Sequence, residues 1–306
     1  MNQGSTYANH RLKRPAFTNH TQVWLHPIRK FSKFEAEIGA ISVMTNQTLK
    51  GRVAIVTGGS RGIGAATVVE LASRGAKVAF TYVSPSSTER SLEVIARVAT
   101  LDNGSSATAI HADMADRNAP SKIVQETLAA FATDTIDILV NNAAVNQSAP
   151  LMQYTHELYE SIFDVNVRGS IFLAQAVIPH LPATGGGRII NIGSLASRIS
   201  VPYSAIMSAS KAALEAFTRV WASELGPRSH TVNYVAVGAT ETEGFTRSGE
   251  NPAALMAMER AKSDTPYEQR WGQPQDVALV IAMLAEPQSR WITGQCISAS
   301  GGLAMF

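Results

Sequence analysis

The segment Thr57-Gly58-Gly59-Ser60-Arg61-Gly62-Ile63-Gly64 constrains the fold more than any other stretch of the chain. It joins the short apolar run 53–56 to residues 63–74, where apolar side chains recur at helical spacing. A strand-to-helix turn this rich in glycine meets three demands. The chain must take positive φ, the backbone must let a phosphate approach closely, and the helix must pack tightly on the strand. The helix then opens with unpaired N–H groups that attract an anion. Gly58, Ser60, Arg61, Gly62, Ile63 and Gly64 are therefore expected to cradle the pyrophosphate of a dinucleotide.

Strand and helix patterns alternate from there onward. Strands are expected at 77–82, 106–111, 136–140, 188–192, 231–235 and 292–297, and helices at 88–101, 119–132, 155–180, 208–226 and 274–284. The alternation implies right-handed crossovers and a parallel sheet covered on both faces. The expected fold is α/β: one doubly wound domain with a seven-stranded parallel sheet, spanning 48–306. The long irregular stretch 238–271 reads as a lid over a site. Leu255, Met256 and Met258 within it either line an apolar pocket or pack the lid onto the body.

The second strand ends Phe80-Thr81-Tyr82-Val83-Ser84, without the carboxylate that usually binds the ribose hydroxyls of NAD. Arg61 and Ser84 are placed to meet a 2′-phosphate instead, and a guanidinium suits that group. The expected cofactor is NADP.

Composition narrows the partners. Hydrophobic residues make up 45% and charged residues 16% of the 306, enough apolar surface for a sizeable core. The net charge of +2 is uneven: residues 1–47 carry +4 and the remainder −2. A faintly acidic body gives no footprint for nucleic acid. No apolar run reaches membrane-spanning length without a charge, proline or polar break. The single cysteine, Cys296, excludes a disulfide within the chain and reads as packing, and the scattered histidines have no metal spacing. Residues 1–47 lack a sustained period. They read as a disordered tail or as residues ahead of a start at Met44, giving a cytoplasmic protein; a basic mitochondrial presequence is the other reading.

Further motifs, in order, resemble the short-chain dehydrogenase/reductase family over 48–306. Thr57 to Gly64 resembles its TGxxxGxG turn, Asn141-Asn142-Ala143-Ala144 its NNAG, and Ile190-Asn191-Ile192-Gly193-Ser194 the strand that ends in its catalytic serine. Lys211 matches the lysine of its YxxxK. The resemblance implies a Rossmann-type domain and hydride transfer between a nicotinamide and a small molecule. It implies cofactor contacts at Asp113, Asn141, Ala143, Lys211 and Thr242, and catalytic roles for Ser194, Lys211 and Asn166. It also implies a homodimer or homotetramer built through the helices 155–180 and 208–226.

One position departs from that pattern. The family tyrosine, four residues before Lys211, is Met207 here, and a thioether donates no proton. Three readings follow. Tyr203, set on a helix beginning near Pro202, takes over as in enoyl reductases. Alternatively, Ser194, Lys211 or a water protonates a reactive C=O, C=N or C=C substrate, or an iminium needs no proton at all. In the third, the chain binds NADP without redox turnover and acts as a cyclase, an isomerase or a regulatory partner. The expected function is an NADP(H)-dependent reductase of a small to medium apolar substrate with a non-standard proton donor.

Overall fold

The computed structural model describes residues 47–243 and 259–306, together with Met1. The expectations for the N-terminal extension, and for Leu255, Met256 and Met258, lie outside the described residues. The compact unit Thr45–Phe306 carries the sheet.

Strand β1 (Val53–Val56) is buried on both faces, which explains its unbroken apolar run. Helix α1 (Gly62–Ser73) follows the glycine turn, then β2 (Lys77–Tyr82), α2 (Ser87–Ala99), β3 (Ser106–His111), α3 (Ala119–Phe131) and β4 (Ile138–Asn141). The long helix α4 (His156–His180) leads to β5 (Arg188–Ile192), α5 (Ala205–Leu225), β6 (Thr231–Val237), α6 (Pro274–Ala285) and β7 (Cys296–Ala299). The sheet order is β3-β2-β1-β4-β5-β6-β7, and every pairing is parallel. The direction of winding reverses between β1 and β4, and such a reversal opens a crevice at the carboxyl ends of the strands.

Two apolar layers cover the sheet. On one face Val68 and Leu71 of α1, Val94 and Val98 of α2 and Ile281 of α6 pack on Val56, Val78 and Ile190. On the other, Ile123 of α3, Leu173 and Val177 of α4 and Leu225 of α5 pack on Ile55, Leu139 and Val232. Helix α4 is long and apolar enough to cross a membrane by length and composition. It is instead half-sunk into this second layer and carries Asp164, Asn166 and Arg168 at its middle.

Several boundaries differ from the sequence expectation. Strand β7 begins at Cys296 rather than 292, because Gly294 turns at φ +69° before the chain joins β6. Helix α5 begins at Ala205 rather than 208, and not at Pro202. Tyr203 blocks a longer helix: its φ is +66°, outside the right-handed region. Helix α4 contains a π turn over Asp164–Gly169, in which Gly169 lets the helix approach the loop after β3; a Cβ there would meet Met114 O at 2.5 Å.

Leu71 is fully buried between α1 and the sheet. Leu71→Ala should lower the unfolding free energy by about 3 kcal/mol, read as a shift of the urea midpoint with little change of slope.

Candidate active site

The crevice is built by the ends of β1, β4 and β5 and by one face of α5. Its floor is the glycine turn. Gly58 (φ +65°) and Gly62 (φ +54°) supply the left-handed steps. A Cβ at Gly64 would lie 2.1 Å from Gly58 O, and one at Gly59 would strike the Phe80 ring at 2.5 Å. No side chain caps the N-terminus of α1 among the described residues, and its first turn holds no acid. The glycine cradle and the open N–H groups fit a pyrophosphate. Thr242 lies over the turn, its Cγ2 3.3 Å from where a Gly62 Cβ would be.

Residues after β4 tie this turn in place. Thr57 Oγ1 accepts the N–H of both Asn142 and Ala143 at 2.9 Å, and Asn142 Nδ2 donates to Thr57 O and Gly58 O. Asn141 Nδ2 donates to Asn191 Oδ1 on β5, whose own amide donates to Thr218 Oγ1 on α5. Asp113 is exposed just past β3, its carboxylate accepting Ala115 N–H. Arg61 stands at the mouth, 3.5 Å from Glu243, a carboxylate that Arg90 also binds at 2.7 Å. A groove of about 460 Å³ lies beside them, lined in part by Ser60, Arg61, Arg90 and Arg97. Ser84 bonds Ser86 and Ser87 at the end of β2.

The chemical end lies under α5. Lys211 is buried, and its Nζ donates to Ile192 O at 2.7 Å. Burial lowers its pKa to about 8, because the charged ammonium loses hydration. Met207, one turn earlier on the same helix, is also buried. Ser194 caps the short 3-10 turn Leu195–Ser197, its Oγ accepting Ala196 N–H. Asn166 sits in the π turn of α4, fully buried. Its amide donates to Val145 O and Ser210 Oγ, and its oxygen accepts Val145 N–H. Both amide protons are thus engaged in joining α4, α5 and the loop after β4.

Tyr203 lies apart from this buried group. It is exposed, in the turn ahead of α5, and its carbonyl accepts Ala149 N–H. The expected placement on the first turn of a helix is corrected: the left-handed backbone at Tyr203 sets the ring off the helix axis. Ser148 and Ser204 share a further hydrogen bond across the same rim.

The family model described as Enoyl-(Acyl carrier protein) reductase matches residues 58–304. The short-chain dehydrogenase/reductase FrzI of a Cladobotryum species is 43% identical over 259 residues, covering 84% of this chain and 97% of that protein. This chain is a short-chain dehydrogenase/reductase. A probable tetrahydroxynaphthalene reductase of Zymoseptoria tritici is 37% identical over 265 residues, 84% of the chain and 96% of that protein. The crystal structure of a Burkholderia cenocepacia short-chain dehydrogenase in complex with NADP superposes with a TM-score of 0.75 at 40% identity, over 84% of this chain and 99% of the other. The reductase thus belongs to a family of nicotinamide-dependent oxidoreductases.

The structure places the glycine turn, Lys211 and Met207 around one crevice and adds the contacts that fasten them, which the motifs do not announce. Thr57 and Asn142 clamp the turn, and Ser210 meets Asn166. Tyr234 of β6 places its hydroxyl 3.0 Å from Ser194 N. Each partnership joins residues far apart in sequence, and no local spacing signals it.

Gly64→Ala should abolish dinucleotide binding, seen as loss of NADPH fluorescence enhancement, because the added methyl meets a backbone carbonyl that cannot yield. Circular dichroism should remain that of the folded chain.

Proposed function

We propose that this short-chain reductase uses NADP(H) to reduce a C=O, C=N or C=C bond in a small to medium apolar molecule, with Lys211 as its proton source. One observation carries this reading: Lys211 is a buried cation whose pKa is about 8, one turn from a methionine that cannot act. At neutral pH an acid of that pKa is mostly protonated yet gives up its proton readily, which suits general-acid work. Ser194 Oγ accepts Ala196 N–H and keeps its own proton for a substrate oxygen. Asn166 keeps α4, α5 and the loop after β4 in register around them.

The cofactor would rest on the Gly58–Gly64 turn, with Asn141, Ala143 and Thr242 beside it and Lys211 toward its nicotinamide end. When bound, the reduced nicotinamide supplies the hydride. The chain's own part is to orient, to exclude water and to deliver a proton. Arg61, assisted by Ser84, favours a 2′-phosphate over a free ribose hydroxyl. The rim supports an apolar substrate: Leu151, Met152, Ile199, Val201 and Tyr203 are all exposed on the two loops that follow β4 and β5. The Burkholderia structure in complex with NADP supports this cofactor, and the relative described as a probable tetrahydroxynaphthalene reductase supports a small ring substrate. We further propose a homodimer or homotetramer through α4 and α5, whose outer faces expose Tyr159, Phe172 and Val220.

A second reading assigns the proton to Tyr203, favoured by the hydrogen bond from Ala149 N–H that pins its backbone at the rim. Parallel kinetics decide between them. With Lys211 as donor, reduction should be flat below pH 8 and fall as pH rises through about 8, where the ammonium loses its proton. Lys211→Met should lower kcat at least about a hundredfold and erase that limb. Tyr203→Phe should change kcat less than about threefold. A large loss in Tyr203→Phe with the limb intact would transfer the role to Tyr203. Failure of every reducible substrate to consume NADPH would leave a binding protein without turnover.

Cofactor choice is tested separately. Arg61→Ala should weaken NADPH binding about tenfold or more and leave NADH binding nearly unchanged, by calorimetry.

A further inference from the structure

The backbone of Ser194 is held by an unusual partner. Strand β5 ends at Ile192, and the last ladder bond beyond it is Gly193 N–H to Val235 O. The next N–H, that of Ser194, has left the sheet and is taken by the phenol oxygen of Tyr234 at 3.0 Å. A side chain from β6 thus extends the ladder by one bond at the residue where the chain enters the crevice. The ring reaches that place only because residue 193 is glycine. A Cβ there would fall 1.7 Å from Tyr234 Cζ and 2.0 Å from its oxygen.

The phenol ring is held by packing and its oxygen by the Ser194 backbone. Tyr234 is fully buried, packed with Leu195, Leu214 and Ala236 and against Cys296 and Leu303. Its oxygen also lies 3.5 Å from Ser194 O. Ser197 Oγ lies within hydrogen-bond distance of both Ser194 O and the Glu215 carboxylate, which holds Arg198 and Arg219. Burial raises the phenol pKa to about 12, so the hydroxyl stays neutral at ordinary pH and serves as a fixed dipole.

We propose that Tyr234 is a positioning residue for Ser194, its hydroxyl fixing the Ser194 backbone so that Oγ faces the substrate oxygen. The proposal rests on the reading of Ser194 as the group that holds that oxygen. A rigid support beneath a hydrogen-bonding group matters most where charge develops, since a donor displaced by a fraction of an ångström loses much of its effect. Tyr234→Phe is the direct probe. It removes one oxygen, keeps the ring in the space opened by Gly193, and leaves the core packing intact.

The test uses the full chain with NADPH and a reducible substrate, in four forms: wild type, Tyr234→Phe, Ser194→Ala and the double variant. Tyr234→Phe should lower kcat about tenfold with KM for NADPH unchanged, and should cost nothing further in the Ser194→Ala background. Hydrogen exchange at the Ser194 amide should quicken about tenfold in Tyr234→Phe, a readout that needs no turnover. Unchanged exchange at that amide overturns the proposal by itself. So do losses that multiply in the double variant, which would mean general damage. If Ser194→Ala is slow and Tyr234→Phe is not, positioning fails and the reading of Ser194 stands. If Ser194→Ala turns over normally, the reading of Ser194 fails and positioning falls with it.

Discussion

One hydroxyl joins the two halves of the crevice. Thr57 Oγ1 receives two backbone N–H groups from the segment after β4, while the Asn142 amide returns two bonds to the glycine turn. The strand order reverses at this point, so no ladder runs between the loops that diverge there. Without the clamp, the turn and the loop after β4 would be free to separate. With it, the uncapped start of α1 is held at a fixed distance from β4 and β5, and so from Ser194 and Lys211. Backbone donors kept rigid in this way serve an anion better than flexible side chains do, because little reorganisation accompanies binding.

The same economy governs the chemical end. Met207 fills space beside Lys211 without offering a proton or a charge, and the ammonium loses hydration without gaining a carboxylate. Its lowered pKa follows from burial alone. The thioether at 207 keeps that side of the pocket apolar and has no proton to give. Apolar side chains, Ile199 and Val201, are exposed beside Tyr203 as well.

Much of this was legible in the sequence. Glycines at 58, 62 and 64 announce a tight strand-to-helix turn because their constraint is local: φ and close approach are properties of a few consecutive residues. The alternation of strands and helices was legible for a similar reason, since burial on both faces writes continuous apolar runs. The start of α5 was not, because Tyr203 takes a left-handed conformation in a turn bonded to Ala149, more than fifty residues away, and local spacing does not signal that. Nor was the π turn around Asn166, which leaves no mark in apolar spacing. The partnership of Gly193 with Tyr234 is also silent in one dimension. It spans two strands, and glycine at the end of a strand has many causes.

That partnership also carries a historical consequence. The ring of Tyr234 and any side chain at 193 exclude one another, so the two positions cannot drift independently. A lineage moving by single replacements has to empty position 193 before it can fill position 234, and must vacate 234 before 193 can grow again. Both directions pass through one intermediate, glycine at 193 facing a small residue at 234, and its empty cavity makes the crossing costly either way.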